Sequence, residues 1–124
     1  KLDTYKRIAG IESQQDYDDM LEELLDRFGE MPRAVLNLLA IAKLKALCHQ
    51  AYVTEIKQLG KEVRITLYEK ARLSPSGIPE LMKKYRRGLT FKAEQEPKFI
   101  LTPQGKLIEA LSAFAEELLL LVEE

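Results

Sequence analysis

Tryptophan is missing from the 124 residues of this chain, and cysteine and histidine occur once each. One cysteine, Cys48, forbids an internal disulfide, so the core alone must hold the fold, which suits a reducing, cytoplasmic compartment. With His49 as the sole imidazole, the two cannot supply the set of Cys and His ligands that a structural zinc site needs. Nor are they placed as thiol and base, because neighbours on a helix point about 100° apart and an activated thiol needs its imidazole within hydrogen-bond reach. Cys48 is expected to be a small buried residue and His49 to lie on a helix surface. The six glycines are dispersed at helix ends and turns, and none forms a phosphate-cradling G-x-G-x-x-G or G-x-x-x-x-G-K-[ST] loop. The apolar stretch Leu118 to Val122 is too short to span a bilayer and is flanked by glutamates, and there is no targeting segment. Charge of neither sign dominates: nineteen bases against twenty acids leave −1, which argues against a general polyanion binder. Carboxylate pairs abound, but on a helix face expected to be exposed, where nothing shifts a pKa for acid–base work. An enzyme is not expected, nor a cofactor or a metal.

What is present is a folded domain. Apolar residues make up 46% and charged residues 31%, too apolar for a disordered chain. The length fits a single domain over 1–124 that buries roughly two thirds of the surface its unfolded chain exposes. The chain opens at Lys1 inside a helix-like pattern, without an initiator methionine, and is expected to be a domain excised from a larger multidomain protein.

Apolar spacing predicts a short helix over 2–9 with Leu2, Tyr5 and Ile8 on one face. Ser13 or Gln14 opens a second, in which Tyr17, Met20, Leu21, Leu24 and Phe28 follow the spacing of one buried stripe. Gly29 ends it, and Pro32 suits the first turn of a third helix to about Gln50. That helix is apolar most of the way round, which predicts burial on several sides. The period then changes to two. Val63, Ile65 and Leu67 alternate with polar neighbours, and 53–59 with Gly60-Lys61 supply the other arm of a hairpin. A helix starts near Ser74 or Ser76, carries Leu81, Met82 and Tyr85, and ends at Gly88. A second hairpin joins 89–93 to 98–102, and a last helix runs from about Pro103 to Glu123. The class is therefore α+β: a helical N-terminal half, two β-hairpins with an intervening helix, and a long C-terminal helix.

The near-zero charge conceals two opposite ends. Residues 12–30 hold eight acids and one base, whereas 57–98 hold eleven bases and five acids. On an ideal helix Asp16, Asp19, Glu23 and Asp26 share one stripe opposite the apolar face, with Arg27 placed to pair with Glu23 at i, i+4. Read plainly, that is a solvated face; read functionally, it is a docking face for a basic surface. Asp26 and Glu30 crowd the last turn, where the helix dipole disfavours acids, so a requirement other than helix stability is indicated. The basic cluster Lys83, Lys84, Arg86 and Arg87, followed by Lys92 and interleaved with aromatics, is the alternative: contacts of a nucleic-acid-binding accessory module. Tyr85, in register with Leu81, belongs to the core instead, and cations before Gly88 also complement the helix dipole.

Three segments resemble one family. Leu24-Leu25-Asp26-Arg27-Phe28-Gly29-Glu30-Met31-Pro32 resembles the L-x-D-R-F-G-x-x-P segment of the C-terminal domain of bacterial transcription-repair coupling factors (Mfd). Leu2 to Ala9 is similar to the R-L-x-x-Y-K-R-I-A segment just upstream, and Leu38 to Leu44 to the third helix; beyond residue 50 the likeness is one of pattern. The family is a multidomain, ATP-driven DNA translocase that acts on stalled RNA polymerase and recruits excision repair through UvrA. The resemblance implies a regulatory C-terminal domain that packs on the UvrB-like N-terminal module of the same chain. There it covers the UvrA-binding surface and restrains the motor. UvrA, RNA polymerase and DNA are then met only through the parent, with no membrane involved. The family's contact positions, in its E-x-x-D-R pattern, fall on Glu23, Asp26 and Arg27. Around Pro75, Gly77 and Pro79 the family pattern is poorly matched, and no role is carried over.

Overall fold

A computed structural model describes residues 2–123, with side chains from Asp3 onward, so the apolar face expected at Leu2 lies outside the described side chains. The element order is α1 (Leu2–Ala9), α2 (Gln14–Phe28), α3 (Arg33–Gln50), β1 (Val53–Leu59), β2 (Glu62–Leu67), α4 (Gly77–Tyr85), a 3-10 turn (Arg86–Gly88), β3 (Leu89–Lys92), β4 (Lys98–Leu101) and α5 (Leu107–Leu119). The α+β class is the one expected. The chain divides into two compact units, residues 1–47 and 48–124.

The first unit is helical. Ser13 caps α2 from extended backbone, its Oγ accepting the Asp16 N–H at 3.0 Å, and Gly29 closes the helix at φ 66° with its N–H on the Leu25 carbonyl. The Pro32 carbonyl accepts the first N–H groups of α3, from Val35 and Leu36. Ile8, Ile11, Met20, Leu24, Leu39, Ala42 and Ala46 form the core, with Tyr17, Leu21, Met31 and Val35 packed against it. Two expectations are corrected. Phe28, placed by its spacing in the buried stripe, is 56% exposed, because it stands in the last turn of α2, beyond the surface that covers Leu24. The third helix is not covered all round either: Leu39, Ala42, Leu44, Ala46 and Leu47 are buried, whereas Leu36, Leu38 and Ile41 face solvent.

In the second unit the two hairpins share one antiparallel sheet of order β1-β2-β4-β3. Gly60 turns the first at φ 64°. Val63 pairs with Leu101 and Leu101 with Leu89; Ile65 pairs with Phe99 and Phe99 with Phe91, so one face collects the apolar side chains. Phe99 meets Phe114 of α5 edge-on at 5.4 Å, and Phe114 meets Tyr85 of α4 at 5.8 Å. Both phenylalanines are fully buried. The last helix is shorter than its apolar repeat suggests. Gly105 at φ 76° and extended Lys106 delay its start to Leu107. At the other end the chain leaves α5 after Leu119 and pairs with residues 72–74: the Leu121 carbonyl accepts the Ser74 N–H, and the Glu123 N–H donates to the Arg72 carbonyl. The apolar end is thus part of this unit, with Leu121 so close to Gly77 that a Cβ there would overlap it, while Leu120 points to solvent.

Candidate protein-docking surface

The acids of α2 sort themselves by position. Toward the N-terminus they make local bonds: Asp16 accepts the Glu12 N–H, Asp18 the Gln14 amide and Asp19 the Gln15 amide. These favour the helix start, where the dipole also welcomes negative charge. Toward the C-terminus the arrangement differs. Glu23 is half-buried and forms an ion pair with Arg7 of α1. The hydrogen bond from that guanidinium holds the Glu23 carboxyl below the usual carboxylate range, aided by the Arg7 and Arg27 charges, while the same bond raises Arg7. The partner is therefore Arg7, from another helix, rather than Arg27 at i, i+4. Arg27 instead stands over the Phe28 ring, its guanidinium carbon 5.4 Å from the centroid. Glu22, Asp26, Arg27 and Glu30 are all exposed.

Beside this end of α2 lies an open groove of about 570 Å³, lined by Tyr5, Leu24, Arg27, Phe28, Met31 and Val35 among others. Sequence reasoning missed it. The only signal was Phe28 itself, an apolar residue at the end of a stripe, and periodicity does not say where the cover stops.

The basic segment spans α4, the 3-10 turn and β3. Lys84 forms an ion pair with Glu117 of α5, and the Tyr85 hydroxyl donates to the same carboxylate. Burial, and then that bond and charge, push the Tyr85 hydroxyl well above its ordinary pKa. The helix stops at Tyr85 rather than Gly88, and Arg86 takes a left-handed φ of 56° that redirects the chain. Lys83, Arg86, Arg87 and Lys92 are exposed on a helix end, a turn and an edge strand, Lys92 beside Lys98, which bonds the Glu96 carbonyl and faces Glu94.

Cys48 is half-buried, and burial pushes its thiol up to about 11, the opposite of what a nucleophile needs. His49 is exposed and lines a second open groove with Tyr52 and Tyr68. Among the described residues no group of three or more His, Cys, Asp or Glu is arranged to hold a metal ion, and no helix is long and apolar enough to cross a membrane.

Comparison with known proteins adds to this geometry. The family model described as the TRCF domain matches residues 1–78, which contain the whole α2 surface. The transcription-repair-coupling factor of Bacillus subtilis (strain 168) is 34% identical over 89 residues, 70% of this chain and 8% of that protein. That of Haemophilus influenzae is 37% identical over 84 residues, covering 68% and 7%. The Escherichia coli (strain K12) protein aligns over 120 residues at 28% identity, covering 95% and 10%. This chain thus spans a tenth or less of the length of these relatives. A crystal structure of the C-terminal domain of transcription-repair coupling factor superposes with a TM-score of 0.75 over 96% of this chain and 78% of that one. At 24% identity that likeness is one of fold.

Proposed function

The chain belongs to the TRCF domain family, and on that premise we propose that it is a non-catalytic regulatory domain of a transcription-repair coupling DNA translocase. It docks on the UvrB-like N-terminal module of its parent chain, masks the surface that UvrA recognises and restrains the motor. It needs no cofactor of its own, works in the cytoplasm, and meets UvrA, RNA polymerase and DNA only through the parent. The observation that supports this reading is the C-terminal end of α2, where Asp26 and Arg27 are exposed beside a Glu23 already fixed by Arg7. An acid and a base side by side at a helix end suit a partner whose charges must be met in one orientation, and such contacts set register more than raw affinity. A clasp built on exposed charge can also be released. A restraint of a few kcal/mol hides a site and still yields to a partner that prefers the open state.

Glu23, Asp26 and Arg27 do not have equal roles. Removing Glu23 frees Arg7 and loosens the fit of α1 on α2, so a binding defect in Glu23→Ala mixes two causes. Asp26 is the sharper probe. The test is calorimetric titration of this chain into the UvrB-like module up to about 1 mM, the effective concentration that tethering in one chain provides. Saturable binding is expected, weakened about tenfold or more by Asp26→Lys and falling with salt. Binding that ignores Asp26→Lys and Arg27→Glu would leave the partner standing and remove the site. The nucleic-acid alternative predicts the reverse: affinity for duplex or single strands that drops on Arg86→Ala plus Arg87→Ala with a steep salt slope.

A further inference from the structure

We infer that β1 is a self-pairing edge: it adds antiparallel to the β1 of a second copy of this chain, about a two-fold axis through Ile56. β1 ends the sheet order β1-β2-β4-β3, so one of its sides has no strand beside it. The hydrogen-bonding phase follows from its neighbour. The Leu67 N–H of β2 reaches the Pro97 carbonyl on the β4 side, and the Tyr68 N–H reaches the Tyr52 carbonyl on the β1 side. Even-numbered residues of β2 therefore turn their backbone groups toward β1, where Arg64 and Thr66 meet Lys57 and Glu55. The N–H and C=O of Ile56 and Gln58 consequently point away from the sheet, open to another strand.

The side chains say which strand. Ile56 is half-buried on the face of its partner Ile65, whereas Glu55 and Lys57 are exposed on the opposite face. Two β1 strands centred on Ile56 bring Glu55 of each copy beside Lys57 of the other, and Ile56 against Ile56 between two reciprocal backbone bonds. Both charges are then met by their opposites. Within one copy this is not so. The register sets Lys57 opposite Arg64, a like charge, while Glu55 reaches Arg64 diagonally at 3.3 Å through one carboxylate oxygen. Centring the pair on Glu55 or Lys57 instead would set like charges face to face, so charge also fixes the register. A charged edge can serve to prevent pairing, and the bulge between Val53 and Glu55 does cut the regular ladder short. Guarding charges, however, repel their own copy, and Glu55 and Lys57 attract it. The bulge limits the length of the contact, so the dimer is weak and exchanges with monomer. β1 belongs to the second unit, and the pairing takes nothing from α2.

The test is sedimentation velocity of this chain from about 10 μM to 1 mM, the range in which small interfaces are populated, with hydrogen exchange of the Ile56 amide. Wild type is expected to shift from monomer to dimer over that range, the amide slowing as concentration rises. Glu55→Lys and Lys57→Glu should each weaken the dimer about tenfold or more, since the two-fold axis doubles every change. Mixed in equal amounts, the two variants should pair with one another as well as wild type does, because each then meets only opposite charges. Wild type that stays monomeric throughout would overturn the pairing, as would a dimer indifferent to both variants or one that the mixture fails to restore. An Ile56 amide protected by the UvrB-like module in a chain that stays monomeric would give the edge to that partner, and equally overturn it. Thermal melts check the fold. Should Glu55→Lys melt early for want of its Arg64 pair, Lys57→Glu decides: opposite Arg64 it gains an attraction within the sheet while losing the one across the dimer.

Discussion

Arg7 of α1 holds Glu23 of α2 in an ion pair, so a residue on the candidate docking face is also part of what fastens the first two helices together. Both side chains remain substantially exposed, at 49% and 39%, and the pair is open to screening by salt. Its pH dependence has a definite sign. The Glu23 carboxyl is held below its ordinary pKa in the fold, so its stabilisation is complete above the unfolded carboxylate pKa and is lost as pH falls through the lowered one. Melting curves of wild type and Glu23→Gln should therefore differ at neutral pH and converge in acid. The difference should also shrink at high salt, and a gap that persists at the acid end would contradict the ion pair.

Gly29 fixes where α2 stops and where Phe28 and Met31 enter the groove. Its φ of 66° and ψ of −108° lie where side chains with a Cβ are strained, although no atom crowds the position itself. Gly29→Ala is expected to destabilise by about 1–2 kcal/mol, read from urea midpoints at unchanged m-value. Gly10→Ala is the control: its backbone φ is not left-handed, and it should cost less.

Lys84, Tyr85 and Glu117 form a junction between α4 and α5 from residues more than thirty positions apart. Glu117→Ala leaves the half-buried Tyr85 hydroxyl without its acceptor and is expected to cost about 1–3 kcal/mol, with Tyr85→Phe costing less. Lys84→Ala, at 67% exposure, should cost no more than about 1 kcal/mol. The hydroxyl pKa is raised in the fold, so its contribution is complete below the unfolded value of 10.0 and declines as pH rises beyond it. Alkaline denaturation should begin earlier in wild type than in Tyr85→Phe. Equal alkaline midpoints would refute the role of burial.

The parts of this fold that were legible in advance are those fixed by neighbouring residues. Ser13 and Gly29 announce the ends of α2 because a cap is a local hydrogen bond. The β1–β2 hairpin follows from alternation around Gly60, whose positive φ a glycine permits. What escaped depends on residues distant in sequence. That β2 pairs with β4 to merge the hairpins is a matter of register between strands thirty residues apart. The shortening of α5 comes from residues 72–74 claiming the backbone of Leu121 and Glu123, against an apolar repeat that continues regardless. The same limit governs the site. Periodicity put Asp26 and Arg27 on the exposed face, but it could not distinguish a Phe28 in the core from one lining a groove. Nor could it foresee that Arg7 would claim Glu23 ahead of Arg27.

Cys48 tests the non-catalytic reading at its one reactive atom. Its pKa of about 11 against an ordinary 9.0 leaves roughly a hundredfold less thiolate at neutral pH than an exposed cysteine has. Partial burial slows attack further. Alkylation by iodoacetamide at pH 7.5 should run about two orders of magnitude below free cysteine, accelerate in urea, and be unaffected by His49→Ala. The rate should keep rising with pH past 9, without a plateau. A fast reaction that plateaus near neutrality and slows on loss of His49 would mean an activated thiol–imidazole pair, and the regulatory reading would then have to accommodate chemistry in the second unit.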